Sequence, residues 1–173
     1  VISVENTWQR LGGAGNVARN IASLGGIPEL FSVSGDDSNR EALLSLLDEH
    51  GISSDILVDS DRPTSIKTRI MAQNQQIVRV DKETISVVSK EMEHGLLKSI
   101  ARTIEPDSIV IVSDYGKGVV SLDFLNDLRE LCASMNPSPK LLVDPKVRNF
   151  SSYSMCHLLT PNLKEAQECA VVN

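Results

Sequence analysis

Apolar residues recur three and four apart after Gly12-Gly13, at Val17, Ile21 and Leu24, which predicts an amphipathic helix closed by Gly25-Gly26. Ile27 to Val33 reads as a strand. Gly35-Asp36-Asp37-Ser38 is a turn able to cap the next helix, whose apolar positions are Leu43, Leu44, Leu46 and Leu47 and which Gly51 ends. From Asp55 to about Asp81 the pattern changes. Ser65–Met71 and Gln76–Asp81 are β-rich and flank the polar Gln73-Asn74-Gln75, as in a hairpin. Ile66, Thr68 and Ile70 alternate with Ser65, Lys67 and Arg69, giving one apolar and one basic face. A helix of roughly Ser89 to Ile104 comes next, then Ser108–Val112, a continuous apolar run of the kind buried on both faces of a parallel sheet. A helix near Leu122–Met135, the strands Lys140–Val143 and His157–Thr160, and a helix starting near Asn162 complete the order. The short segment Val1–Val4 also reads as a strand. Alternating β and α units predict an α/β fold with a mainly parallel sheet flanked by helices. The polar-faced hairpin reads as a lid over residues 55–85, between core segments 1–54 and 86–173.

Each apolar strand runs into polar residues. Val110-Ile111-Val112 leads to Ser113-Asp114-Tyr115-Gly116-Lys117-Gly118, Leu141-Leu142-Val143 to Asp144-Pro145-Lys146, and Leu158-Leu159-Thr160 to Pro161-Asn162-Leu163-Lys164-Glu165. Ligands of open α/β sheets bind at the carboxyl ends of the strands, so three strands would bring carboxylates, lysines and an amide to one rim. That composition suits phosphoryl transfer, which depends on positioning and on neutralising charge. Lys117, between two glycines, fits either an anion contact or a plain turn.

Gly13, Gly15 and Ala18 fit the dinucleotide pattern G-x-G-x-x-A, and Asp36 falls where a ribose-binding acid would. The pattern requires a strand running into its first glycine, whereas Asn6–Leu11 intervenes as a polar connection. Polyol binding by Asn16 and the glycine amides, and simple helix packing, compete with it.

The 173 residues carry a net charge of −6 without a cluster of basic residues, which argues against a nucleic-acid partner. No stretch approaches the ~20 apolar residues of a membrane span. Three isolated cysteines, Cys132, Cys156 and Cys169, read as free thiols in a reducing cytoplasm, and the three histidines lack zinc spacing. The start at Val1, without an initiator Met or signal peptide, reads as a cut or processed end.

The segment Gly12-Gly13-Ala14-Gly15-Asn16-Val17-Ala18-Arg19-Asn20-Ile21-Ala22-Ser23-Leu24-Gly25 resembles the first signature of the ribokinase (PfkB) family of carbohydrate kinases. Arg62-Pro63-Thr64, Lys67-Thr68-Arg69 and Asn74–Asp81 resemble the lid of that family's D-glycero-β-D-manno-heptose-7-phosphate kinases. Ser113–Gly118 and Leu159–Glu165 fit the same subgroup, and the likeness runs collinearly along nearly the whole chain. The resemblance implies a ribokinase-like fold. It also implies ATP- and Mg²⁺-dependent phosphorylation of the anomeric hydroxyl of heptose 7-phosphate, in the synthesis of the ADP-heptose precursor of lipopolysaccharide. Gly12, Gly13, Asn16 and Asp114 would then contact the sugar, and Lys67, Arg69 and Arg79 its phosphate. A solvated lid face is the competing reading of those three cations. Asn162, Leu163, Lys164, Glu165 and Lys146 would serve the nucleotide, with Glu165 reaching Mg²⁺ through water. The family's lid also points to a homodimer.

Two family motifs do not occur here: the Gly-Asp of the first strand, and the later Gly-Ala-Gly-Asp that supplies an anion hole and the proton acceptor. Gly13-Ala14-Gly15-Asn16 ends in Asn and belongs to the sugar signature. The expectation is therefore a chain truncated at both ends, inactive alone, with no catalytic base among its residues. In some relatives an adenylyltransferase domain follows. A non-catalytic sugar- or nucleotide-binding module is the first alternative, and a dinucleotide-binding oxidoreductase domain, on the glycine pattern above, the second.

Overall fold

The computed structural model describes residues 3–73, 75–154 and 156–171. Helix α1 (Gly13–Ser23) precedes strand β1 (Glu29–Ser34), helix α2 (Ser38–Glu49) and strand β2 (Ser53–Val58). Strands β3 (Ile66–Ala72) and β4 (Gln75–Lys82) form the hairpin, and α3 (Lys90–Thr103), β5 (Ile109–Ser113), α4 (Leu122–Ala133) and β6 (Lys140–Asp144) follow. A 3₁₀ segment (Val147–Tyr153), strand β7 (Leu158–Leu159) and helix α5 (Leu163–Val171) complete the chain.

The strands pair as β1-β2 in parallel, β3-β4 in antiparallel and β5-β6-β7 in parallel. The predicted α/β order is thus observed, with parallel sheets flanked by helices. Side chains of Asp37, Ser89 and Ser121 cap α2, α3 and α4, each satisfying an amide that the first helical turn leaves without a partner. Among the described residues no helix is long and apolar enough to cross a membrane.

Several local expectations are corrected. Ser3 and Val4 form no strand, and Val1 and Ile2 lie outside the described residues. Helix α1 does not bury Val17, Ile21 and Leu24. It turns the small residues Ala14, Gly15, Ala18 and Ala22 inward around Leu11, and Leu24 is exposed. Small side chains let this helix approach β1 closely, which the spacing of larger residues does not reveal. Strand β2 begins on the polar Ser53-Ser54-Asp55, which reads as a loop in the sequence, and pairs with β1 along its whole length. Strand β5 is covered on one face only. Val112 is buried against α3 and α4, while Ile109 and Ile111 remain 65% and 41% exposed.

The larger core gathers Leu96 and Ile100 of α3, Phe124, Leu125, Leu128 and Cys132 of α4, Val112 of β5, Leu141 and Val143 of β6, and Tyr153. Phe31, Val33 and Leu57 of the first sheet pack against it. A second core joins α1, α2, β1 and β2 through Leu11, Ala18, Leu30, Leu47, Ile52 and Ile56. Rigid elements therefore end at the loops that carry the polar residues. All three cysteines are free, and burial raises the thiol pKa values of Cys132 and Cys169.

Candidate functional site

Parallel pairing puts the ends of β5, β6 and β7 side by side. Ser113 lies opposite Asp144, the Asp114 amide donates to the Asp144 carbonyl at 3.0 Å, and the Thr160 amide donates to the Val143 carbonyl at 3.1 Å. The rim read from the sequence is thus built by register.

Asp114 is 5% exposed and faces inward. Its Oδ1 accepts the Gly116 amide at 2.6 Å, and its Oδ2 accepts Asn149 Nδ2 at 2.7 Å and the Tyr153 hydroxyl at 2.5 Å. Both carboxylate oxygens therefore already have protein donors, and the group shapes the loop from below. Tyr115 stays half exposed on the loop's outer side. Its ring lies against Gly13, where a Cβ would come 3.6 Å from Cε2, and Gly13 has a positive φ of 53° that favours glycine. The glycine motif and the β5 loop thus meet at this contact. Asn16 lies one helical turn further on, and its Oδ1 accepts Arg19 Nη2 at 2.9 Å.

On the nucleotide side expected from the sequence, Asn162 and Glu165 form a reciprocal cap at the start of α5. The Glu165 amide donates to Asn162 Oδ1 and the Asn162 amide to Glu165 Oε2, both at 3.0 Å. Lys146 Nζ stands 3.7 Å from Glu165 Oε1. Leu163 and Lys164 are exposed on the first turn, and Lys164 pairs with Glu168 on α5 at 3.6 Å. Burial raises the Asp144 carboxyl pKa; Glu165 and Asp114 add to the rise and Lys146 opposes it.

The hairpin brings Lys67, Arg69, Arg79 and Asp81 onto one face, since Lys67 registers with Asp81 and Arg69 with Arg79. These cations are largely engaged. Lys67 Nζ contacts Asp81 and Glu83, each at 2.9 Å, and Arg79 Nε contacts Asp81 at 3.0 Å. Arg69 makes no ion pair among the described residues, and its Nη1 reaches only the Lys67 carbonyl at 3.5 Å. Asn74, quoted in the lid resemblance, lies outside the described residues.

Sequence reasoning passed over the parts that join the hairpin to the rim. Glu83 holds both Lys67 and Lys117, the latter at 2.5 Å. Arg62 is buried beside Asp59 at 2.7 Å and donates to the Lys117 and Ser86 carbonyls at 3.3 and 3.2 Å. Gly118, with a positive φ of 82°, lets the Ser86 carbonyl approach to where a Cβ would sit 1.9 Å away. Tyr153 and Asn149 lie in a 3₁₀ segment without helical or strand periodicity, so no spacing marked them. The buried Arg62 did have a signal, its place in Arg62-Pro63-Thr64 just before the hairpin.

The residues before Gly12 form no strand from Ser3 onward, so the dinucleotide pattern lacks the strand that would aim its glycines.

Comparison with known proteins shows the family of the chain. The sequence pattern of the pfkB family carbohydrate kinases matches residues 1–173. The chain is 40% identical to the bifunctional protein HldE of Aliarcobacter butzleri over 174 residues, covering 100% of this chain and 36% of that protein. It is 41% identical to the bifunctional protein HldE of Helicobacter pylori, covering 97% of this chain and 36% of that protein. The chain thus spans little more than a third of the length of these curated relatives. Among solved structures, the tetrameric inhibited form of phosphofructokinase-2 from Escherichia coli superposes with a TM-score of 0.75 at 22% identity, over 99% of this chain and 58% of that one. The same enzyme in complex with substrates and products gives a TM-score of 0.73 at 24% identity, over 92% of this chain and 52% of that one.

Proposed function

Since the chain belongs to the pfkB family of carbohydrate kinases, we propose that it forms the acceptor platform, lid and part of the nucleotide rim of an ATP-dependent heptose 7-phosphate kinase acting in ADP-heptose synthesis in the cytoplasm. The observation that carries this reading is the register of β5, β6 and β7. It lines up the Asp114 loop, Asp144 with Lys146, and the Asn162–Glu165 cap, while Gly13 packs on Tyr115 at the acceptor end. The likeness to the HldE proteins and the lid motif support heptose as the sugar.

The donor set fits a magnesium nucleotide. The exposed first turn of α5 presents the positive end of a helix dipole beside Lys146 and Lys164, a setting suited to phosphate oxygens. The Asn162–Glu165 cap would let Glu165 serve a magnesium ion through water, the ion itself being carried by the nucleotide phosphates. When bound, MgATP supplies the transferable phosphoryl group. The chain's own part is positioning and charge neutralisation. Gly12, Gly13 and Asn16 orient the sugar, the Asp114 carboxylate fixes the loop beside it, and Lys67, Arg69 and Arg79 meet the sugar's phosphate under the lid. Lys67 and Arg79 would then exchange their carboxylate partners for that dianion. The apolar face of the hairpin supports a homodimer.

The intact protein, given heptose 7-phosphate and MgATP, is expected to form a 1,7-bisphosphate, seen as a second phosphorus resonance in NMR together with stoichiometric ADP. Exclusive phosphorylation of a different sugar would overturn the heptose assignment, and ADP release unlinked to any sugar would overturn the kinase reading.

A further inference from the structure

Tyr153 is 2% exposed, yet its hydroxyl stands where two rim loops meet. It donates to Asp114 Oδ2 at 2.5 Å and accepts the Lys146 amide at 3.2 Å. Asp114 Oδ1 in turn fixes the Gly116 amide at 2.6 Å, and Lys146 Nζ stands 3.7 Å from the Glu165 cap. A continuous path of hydrogen bonds thus runs from the loop against the glycine motif to the loop beside α5. Asn149 braces it, donating from Nδ2 to Asp114 Oδ2 at 2.7 Å and to the Val120 carbonyl at 3.2 Å.

We propose that Tyr153 is a positioning residue for phosphoryl transfer, its hydroxyl holding the acceptor-side β5 loop in register with the nucleotide-side β6 loop. The proposal rests on the kinase reading above. The energetic argument is the burial of Asp114. No cation lies within ion-pair distance of it among the described residues, so its oxygens are satisfied by neutral donors alone, and losing one leaves a buried lone pair unsatisfied. The Tyr153 ring is fixed edge-on against Phe150, with centroids 6.4 Å apart, so the hydroxyl is placed by the core and not by solvent. Burial and the adjacent Asp114 push the phenol pKa upward, which keeps the hydroxyl a donor throughout the neutral range. Because transfer requires the acceptor oxygen to be held in line about 3–3.5 Å from the phosphorus, slack between the loops falls on turnover more than on binding.

Tyr153→Phe keeps the ring and removes only the hydroxyl. In the intact protein its kcat with heptose 7-phosphate is expected to fall on the order of tenfold, with both KM values within about threefold of wild type. Hydrogen exchange of the Gly116 and Lys146 amides is expected to accelerate together. A merely structural role would lower the melting temperature and leave kcat per folded molecule unchanged. A kcat within about twofold of wild type, or unchanged exchange at both amides, overturns the proposal. If the wild-type protein phosphorylates no sugar phosphate, the kinase reading fails by itself. The exchange comparison then still tests the link between the loops, standing if both amides are released and failing if neither is. Should Tyr153→Phe not fold, Asn149→Ala decides in its place, with the same signs expected for kcat and for Gly116 exchange.

Discussion

Burial raises the Asp144 carboxyl above the ordinary aspartate value, Glu165 and Asp114 add to that rise, and Lys146 only partly offsets it. Its folded state binds a proton more tightly than the unfolded chain does. The group's contribution to stability is therefore most favourable at low pH and is lost as pH rises through its folded value. At neutral pH, above that folded value, the ionised Asp144 works against folding. Asp144→Asn is expected to raise the melting temperature at pH 7 by about a few degrees and to lower kcat, measured by calorimetry and coupled assay on the same preparation. A lower melting temperature would contradict this account. The residue types of the rim were legible in the sequence, because apolar strands ending in Asp, Lys and Asn are conspicuous. Their orientations were not. Asp114 has both oxygens engaged by Gly116, Asn149 and Tyr153, two of them more than thirty residues away in the chain, and no local pattern shows such partners.

At the scale of elements, the hairpin is tied to the rim by few contacts. Glu83 joins Lys67 of β3 to Lys117 of the β5 loop, and Arg62 joins the hairpin's approach to Lys117 and Ser86. Hydrogen bonds and charge from Lys117 and then Lys67 hold the Glu83 pKa below the ordinary glutamate value. A depressed carboxyl contributes stability above its unfolded pKa and loses it as pH falls through the folded one, so this latch weakens in acid, below about pH 4.5. Glu83→Gln is expected to release the latch at neutral pH. Hydrogen exchange across Ile66–Lys82 should then rise several-fold while the α3–α4 core stays protected, and wild-type rates in the hairpin would refute it. The hairpin was readable because β3 alternates strictly. Strand β2 was not, since Ser53-Ser54-Asp55 looks like a loop until β1 supplies the partner backbone.

For the whole molecule, the α/β order and the family were recognisable from the collinear motifs, whereas the division of the strands into separately paired sheets depends on long-range packing that no local pattern encodes. The exposed Val78 and Val80 share a hairpin face with Ile70 and Thr68, their registered partners. If that face closes a homodimer, replacing Val78 and Val80 together by Glu should convert a dimer to monomer in sedimentation velocity, with the melting profile of the α/β core preserved. A dimer unaffected by both charges would place the interface elsewhere. The hairpin also differs from the rest in the distance its pairs span along the chain. Lys67 meets Asp81 within the hairpin, whereas Ile109 must find Lys140 across α4. Antiparallel hairpins close in about 1–10 μs, and parallel pairs wait for a whole crossover to be made. As the chain leaves the ribosome, Glu83 can engage Lys67 before Lys117 has emerged, so the hairpin closes ahead of the β5 loop to which it is tied.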